Sequence, residues 1–112
     1  MEIKKLALLG TLCMGVTYAH ADIRIGVLTS STGPTAMVGI PQKNTIPLLP
    51  QVLGGEKVQY FALDDGSDPT ATVKAVNKLI TDNKVDAIIG PSGSPNAVAV
   101  VGIAAKAGVP LL

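Results

Sequence analysis

Short apolar runs alternate with helical segments along the chain, and this alternation constrains the fold more than any other feature of the sequence. Runs rich in β-branched residues occupy residues 23–28, 58–63 and 85–89, and a fourth begins at Val109. Glycine, proline and small polar residues close these runs, as is typical of buried strands. Because helices separate the strands, we expect a parallel sheet with right-handed crossovers.

The later helices carry clear start and stop signals. Apolar residues recur at helical spacing over residues 69–83, and Asp68 precedes them as an N-cap followed by proline. Ser94-Pro95 repeats this combination ahead of a helix that is expected to stop at Gly108.

Prolines interrupt the helix that follows the first strand. Ile40-Pro41 could open it and Gly54-Gly55 could end it, yet Pro47 and Pro50 fall inside. An interior proline costs roughly 3 kcal/mol, because it removes a hydrogen bond and its ring clashes with the preceding turn. The sequence therefore predicts a helix that is kinked or broken near Pro47.

The predicted architecture is α/β, a three-layer doubly wound parallel sheet with strand order 2-1-3-4. In that order the chain reverses between strands one and three, so the loops at their carboxyl ends, residues 29–33 and 91–96, flank a crevice where folds of this class bind ligands. Both loops are rich in small hydroxyl residues, namely Thr29, Ser30, Ser31, Thr32, Ser92 and Ser94.

The first 21 residues have the pattern of a cleavable signal peptide. Lys4 and Lys5 precede an uncharged apolar stretch over residues 6–16, and Ala19-His20-Ala21 matches a cleavage site. The apolar stretch is shorter than the ~20 residues of a membrane span, and a retained anchor is the less favoured alternative. We expect cleavage after Ala21 and export of residues 22–112.

Cleavage would remove Cys13 and His20, the only cysteine and the only histidine of the chain. The exported part would then have no thiol nucleophile, no imidazole base and no Cys/His metal ligand. It would also carry no net charge, so nothing favours a nucleic-acid partner. We therefore expect a protein without catalysis, cofactor or metal.

Three motifs invite a chemical interpretation, and each has a plainer one. Residues 90–94 are similar to a hydrolase nucleophile elbow, but the last glycine is a serine and no histidine base remains. Ser92-Gly93-Ser94 precedes a helix, where free N–H groups favour a carboxylate or phosphate, while Ser94 as a simple cap is an equally good and compatible interpretation. Residues 64–68 lack the spacing of a calcium-binding EF-hand, so a polar turn with Asp68 as the cap is preferred.

Several segments occur in an order and spacing that resemble one family. They are Ile25–Leu28 leading into Ser31–Pro34, the turn at residues 64–69, the strand Val85–Gly90 and the segment Ala107–Pro110. Together they resemble the start of a mature type I periplasmic binding protein of the branched-chain amino-acid ABC transporter substrate-binding family. Residues 39–45 and 48–50 look like a proteobacterial subgroup whose ligands are not always amino acids.

The resemblance implies a two-lobed periplasmic receptor that closes around a small carboxylate-bearing solute and presents it to the membrane permease of an ABC importer. It implies that Ser94 holds the carboxylate. Met37 and Val38 stand where amino-acid binders often have an aromatic residue, which leaves room for an aromatic or aliphatic acid. The implied ligand contacts are Ser30, Ser31, Thr32, Val38, Ser92, Gly93 and Ser94.

The family's chains are several times longer than residues 22–112, so these residues are expected to form an incomplete amino-terminal lobe. Strand four would then be an unprotected edge, and the apolar surface beside the first helix would be bare. We expect such a piece to be poorly stable and unable to close on a ligand alone. The alternatives are a truncated, non-binding product of a disrupted gene, a secreted doubly wound enzyme and a cytosolic phospho-receiver.

Overall fold

The computed structural model describes residues 21–112, so the predicted signal peptide lies outside the described residues apart from Ala21. The elements in chain order are β1 (Ile23–Thr29), α1 (Ala36–Thr45), a 3₁₀ turn (Ile46–Leu48), β2 (Val52–Leu53), β3 (Glu56–Asp64), α2 (Pro69–Thr81), β4 (Ala87–Ile89) and α3 (Ser94–Ala107). None of the helices in this part of the chain is long and apolar enough to cross a membrane.

The strands form one sheet in the order β2-β3-β1-β4. β1 lies in the middle and runs parallel to β3 over its full length and to β4. Leu111 forms a further parallel bridge with Ile88, at the outer edge of β4. With the parallel strands numbered as in the sequence analysis, this is the order 2-1-3-4, and the predicted fold class is confirmed.

The hydrophobic core lies between the sheet and the pair α2 and α3, which pack side by side on one face. Its buried members come from β1, from the segment just before β4, from β4 itself and from both helices, and they are Leu28, Val85, Ile88, Val76, Leu79 and Val100. Burying a side chain of this kind stabilises a fold by about 1.5–3 kcal/mol, so this layer supplies much of the stability.

The predicted signals at α2 and at the end of α3 are confirmed. The Asp68 carboxylate accepts a hydrogen bond from the Ala71 N–H at 3.0 Å, and Pro69 follows at the start of α2. α3 stops at Gly108, whose φ of 70° is the left-handed conformation that glycine adopts readily. The predicted N-cap at Ser94 is wrong, because the N-cap of α3 is Gly93, no side chain caps this end, and Ser94 is already the first residue of the helix.

The helix after β1 differs from the prediction at both ends. It begins at Ala36 and not at Ile40, so Pro41 lies inside it, and it ends at Thr45. The predicted break before Pro47 is confirmed, because the chain continues there as the 3₁₀ turn. The predicted stop at Gly54-Gly55 is wrong.

Gly54 and Gly55 instead form the turn of an antiparallel hairpin between β2 and β3. Both have positive φ, 57° and 83°. Two successive residues with positive φ are what a two-residue hairpin turn requires, because its twist then matches that of the strands. The hairpin adds β2 as an edge strand that the sequence analysis did not predict.

α1 lies on the opposite face of the sheet and meets it through one glycine. Gly39 is its only buried residue, and a Cβ placed there would fall on the backbone carbonyl of Ser30. The neighbouring Met37 remains 89% exposed.

Candidate functional site

The loops after β1 and β4 meet at the carboxyl end of the sheet, as predicted for the crevice. The Ser30 N–H donates to the Ser92 Oγ at 3.1 Å, and this bond joins the two loops directly. The Ser92 hydroxyl donates in turn to the Oε1 atom of Gln42 in α1. One serine therefore ties both loops and the first helix together.

The predicted contacts in the loop after β1 have different surroundings. Ser30 is fully buried, and its hydroxyl donates to Asp65 Oδ1 at 2.7 Å. Ser31 is half-buried, while Thr32 is exposed and donates its hydroxyl to Asp64 Oδ2 at 2.7 Å. Val38 is exposed in the first turn of α1.

The other predicted contacts lie where α3 begins. Gly93 is half-buried and Ser94 is exposed. Free N–H groups and the helix dipole make such a position favourable for an anion, and a serine hydroxyl adds one more donor. The structure therefore places the seven predicted residues around the ends of β1 and β4 and the starts of α1 and α3.

Asp64 holds the loop after β1 in place. One carboxylate oxygen accepts from the N–H groups of Ser31 at 3.0 Å, Thr32 at 3.3 Å and Gly66 at 3.0 Å. Burial raises the pKa of Asp64, but the hydrogen bonds from the Thr32 side chain and from the backbone of Gly66, Thr32 and Ser31 outweigh it and lower the pKa below its ordinary value of 3.8. Asp64 therefore stays charged at neutral pH and orders this loop.

Asp65 is the centre of a buried polar network that the sequence analysis did not find. Its Oδ1 accepts from the Ser30 hydroxyl at 2.7 Å and the Ser67 N–H at 2.9 Å. Its Oδ2 accepts from Asn96 Nδ2 at 2.8 Å and the Thr72 hydroxyl at 3.1 Å. Among these residues Ser30, Asp65, Thr72 and Asn96 are all 3% exposed or less.

Two polar residues on buried helical stripes could have revealed this network. Thr72 precedes Val76 and Leu79 on one face of α2, and Asn96 precedes Val100 on the buried face of α3. A polar side chain at such a position needs a hydrogen-bond partner, because burying it unpaired is costly. The turn after β3 is the nearest source of a matching carboxylate.

A cavity of about 270 Å³ adjoins the crevice on the α1 face of the sheet. Its walls are mainly apolar, and its lining consists of Val27, Leu28, Thr29, Gln42, Thr45, Ile46, Leu49, Ile89, Gly90, Pro91 and Leu112. An apolar space next to a few hydroxyl and amide groups suits a small organic solute with a polar end. Within residues 21–112, no group of three or more potential metal ligands comes together.

Comparisons with known proteins identify similar chains. A family model described as periplasmic binding protein matches residues 22–112. The Leu/Ile/Val-binding protein BraC3 of Rhizobium johnstonii is 35% identical over 97 residues, which cover 81% of this chain and 26% of that protein.

Solved structures share the fold described above. An extracellular ligand-binding receptor from Rhodopseudomonas palustris HaA2 is 48% identical with a TM-score of 0.80, over 81% of this chain and 25% of that one. A solute-binding protein of an ABC transporter from Rhodopseudomonas palustris BisB5, in complex with 3,4-dihydroxybenzoic acid, is 29% identical with a TM-score of 0.75, over 80% of this chain and 26% of that one. The chain spans about a quarter of the length of these relatives.

Proposed function

The chain belongs to the periplasmic binding protein family, and we propose that it is part of the amino-terminal lobe of a periplasmic solute receptor for an ABC importer. The receptor binds a small carboxylate-bearing solute and delivers it to a membrane permease without changing it chemically. The signal peptide directs export of the chain and is cleaved after Ala21. Residues 22–112 supply one wall of the solute site.

The exposed hydroxyl of Ser94 at the start of α3 is the observation that carries this proposal. α3 has 14 residues, and its N-terminus follows directly on the loop that Ser92 ties to Ser30. Helix N-termini favour carboxylates through their free N–H groups and their dipole. We assign the solute carboxylate to this turn, with Ser94 as a donor.

The remaining site residues have three roles in this proposal. Ser30, Thr32 and Ser92 donate to other side chains of the protein, so they shape the loops around the solute. Ser31 and Gly93 line the crevice beside Ser94. Val38 supplies an apolar contact for the body of the solute.

The chemistry of the ligand is supported by two of the relatives. The Rhizobium johnstonii protein is a Leu/Ile/Val-binding protein, and the BisB5 protein holds 3,4-dihydroxybenzoic acid. These ligands share a carboxylate but differ in the rest of the molecule. We therefore propose a branched-chain amino acid or an aromatic or aliphatic acid as the solute, and two probes cover this range: L-leucine and 3,4-dihydroxybenzoate.

Calorimetric titration of the whole exported receptor that contains residues 22–112, with each probe in turn, tests the proposal. Wild-type protein is expected to bind one of them, and Ser94→Ala should weaken that binding about tenfold, the effect of losing one hydrogen bond to a charged group. Thr81→Ala is the matched control, because it removes an exposed hydroxyl at the far end of α2. Wild-type protein that binds neither probe would instead favour a truncated, non-binding product. If Ser94→Ala and Thr81→Ala bind the probe with equal affinity, the assignment of the solute carboxylate to the start of α3 is wrong.

A further inference from the structure

The buried carboxylate of Asp65 connects the two sides of the crevice. On one side it accepts from the hydroxyl of Ser30, which is followed by Ser31 and Thr32 in the loop after β1. On the other side it accepts from Asn96, two residues after Ser94 in the first turn of α3. One side chain is therefore bonded to both walls.

Local structure around Asp65 is already held by other groups. Asp68 caps α2, and Asp64 orders the loop after β1 from its exposed side. Thr72 also has a second acceptor, since its hydroxyl donates to the Asp68 carbonyl at 2.8 Å. Three bonds depend on Asp65 alone, namely those from the Ser67 N–H, from Ser30 and from Asn96, and the last two span the crevice.

Burial makes this connection rigid. Ser30, Asp65 and Asn96 are 3% exposed or less, so water has little access to replace a lost partner. All donors to Asp65 are uncharged, and both of its oxygens act as acceptors. Hydrogen bonds in such an environment are stronger than in water. A side chain held by three donors of its own, and by a Thr72 hydroxyl shared with the Asp68 carbonyl, has a single orientation.

We propose that Asp65 is a positioning residue that sets the separation between the loop after β1 and the start of α3, and thereby the affinity for the solute, without touching the solute. This inference rests on the function proposed above. The crevice donors of Ser31 and Ser94 must lie at fixed places to bind one carboxylate, and a displacement of about 1 Å is enough to weaken such a site.

Asp65→Asn is the most informative variant. It keeps the shape of the side chain but replaces one acceptor oxygen by an NH₂ group, which faces the NH₂ group of Asn96. The double variant Asp65→Asn/Asn96→Asp restores the pair with donor and acceptor exchanged. Val85→Ala is the control for lost stability, because Val85 is a core residue that precedes β4, at the end of the sheet away from the crevice.

Amide hydrogen exchange in the exported protein gives a readout that needs no ligand. The Ser30 N–H bonds to Ser92 and therefore reports on the contact between the two walls, and the Ala97 N–H bonds to the Gly93 carbonyl at 3.0 Å and therefore reports on the start of α3. Asp65→Asn should speed exchange at both amides about tenfold, and the double variant should restore protection. In Val85→Ala, the protection of these two amides, compared with that of amides that exchange only by global unfolding, should be the same as in the wild type.

The affinity of the probe that binds wild-type protein gives the second readout. Asp65→Asn should raise its Kd about tenfold at a temperature where all variants are folded, and the double variant should recover most of the loss. Unchanged exchange and Kd in Asp65→Asn would overturn the inference, and so would equal effects of Val85→Ala. If wild-type protein binds neither probe, the proposed function fails, and exchange alone then decides whether Asp65 fixes the two walls.

Discussion

Replacing Gly39 by alanine is expected to destabilise the protein, although alanine is the better helix former. Gly39 lies in the middle of α1, where the helix approaches the end of β1. A Cβ at this position would fall on the carbonyl of Ser30 and close to the N–H of Ser31. These neighbours are backbone atoms of a segment that hydrogen bonds to Ser92, Asp65 and Asp64 hold in place, so they cannot move aside as a flexible side chain could.

The size of the effect follows from two opposing contributions. Alanine gains about 1 kcal/mol over glycine in helix propensity. Inserting a methyl group into a closely packed contact costs about 1–3 kcal/mol, and the upper value applies here because the contact is with backbone. The net expected loss is about 2 kcal/mol in the free energy of unfolding, with α1 displaced from the loop after β1.

Gly102→Ala is the matched control, because Gly102 also lies inside a helix but has nothing within 4 Å of an added Cβ. It should stabilise the protein by up to about 1 kcal/mol through propensity alone. Urea unfolding followed by circular dichroism measures both variants. A Gly39→Ala protein as stable as Gly102→Ala would refute the close approach of α1 to β1.

Three further predictions concern caps, pH and processing. Asp68→Ala should lower the free energy of unfolding by about 1 kcal/mol, because the Ala71 N–H loses its acceptor, and thermal melts would show this. Since the pKa of folded Asp64 is below 3.8, its contribution to stability is complete above that pH and is lost as the pH falls through the lower folded value. Melting temperatures of Asp64→Asn should therefore fall less steeply below pH 3.8 than those of the wild type. Sequencing the exported protein from its N-terminus should begin at Asp22, and a start at any other residue would contradict cleavage after Ala21.

The sequence predicted the sheet and two helices because these depend on local signals. Continuous β-branched runs mark parallel strands, and Asp68-Pro69 marks a helix start whether or not other parts of the chain are known. Once the order 2-1-3-4 is expected, the right-handed crossovers place the first helix on one face of the sheet and the next two on the other. The segment between β1 and β3 was harder to predict, because its prolines and its two glycines are compatible both with a broken helix and with a hairpin.

The site could be predicted by location but not in its internal contacts. Ser92 and Ser30 are predictable on facing loops, yet nothing in the local sequence indicates that the Ser30 N–H donates to the Ser92 hydroxyl. Asp65 was interpreted as part of a polar turn, because its partners Thr72 and Asn96 lie 7 and 31 residues away along the chain. Such contacts depend on how α2 and α3 pack against the sheet, which periodicity does not define.

Native mass spectrometry of the exported protein, purified without unfolding from cells that express it at its own locus, tests the central claim most directly. We predict a polypeptide that begins at Asp22 and carries one small organic acid. We also predict that a smaller fraction of Ser94→Ala molecules carries the acid, while Thr81→Ala matches the wild type. A polypeptide that carries no acid and takes up neither L-leucine nor 3,4-dihydroxybenzoate would contradict the assignment as a solute receptor.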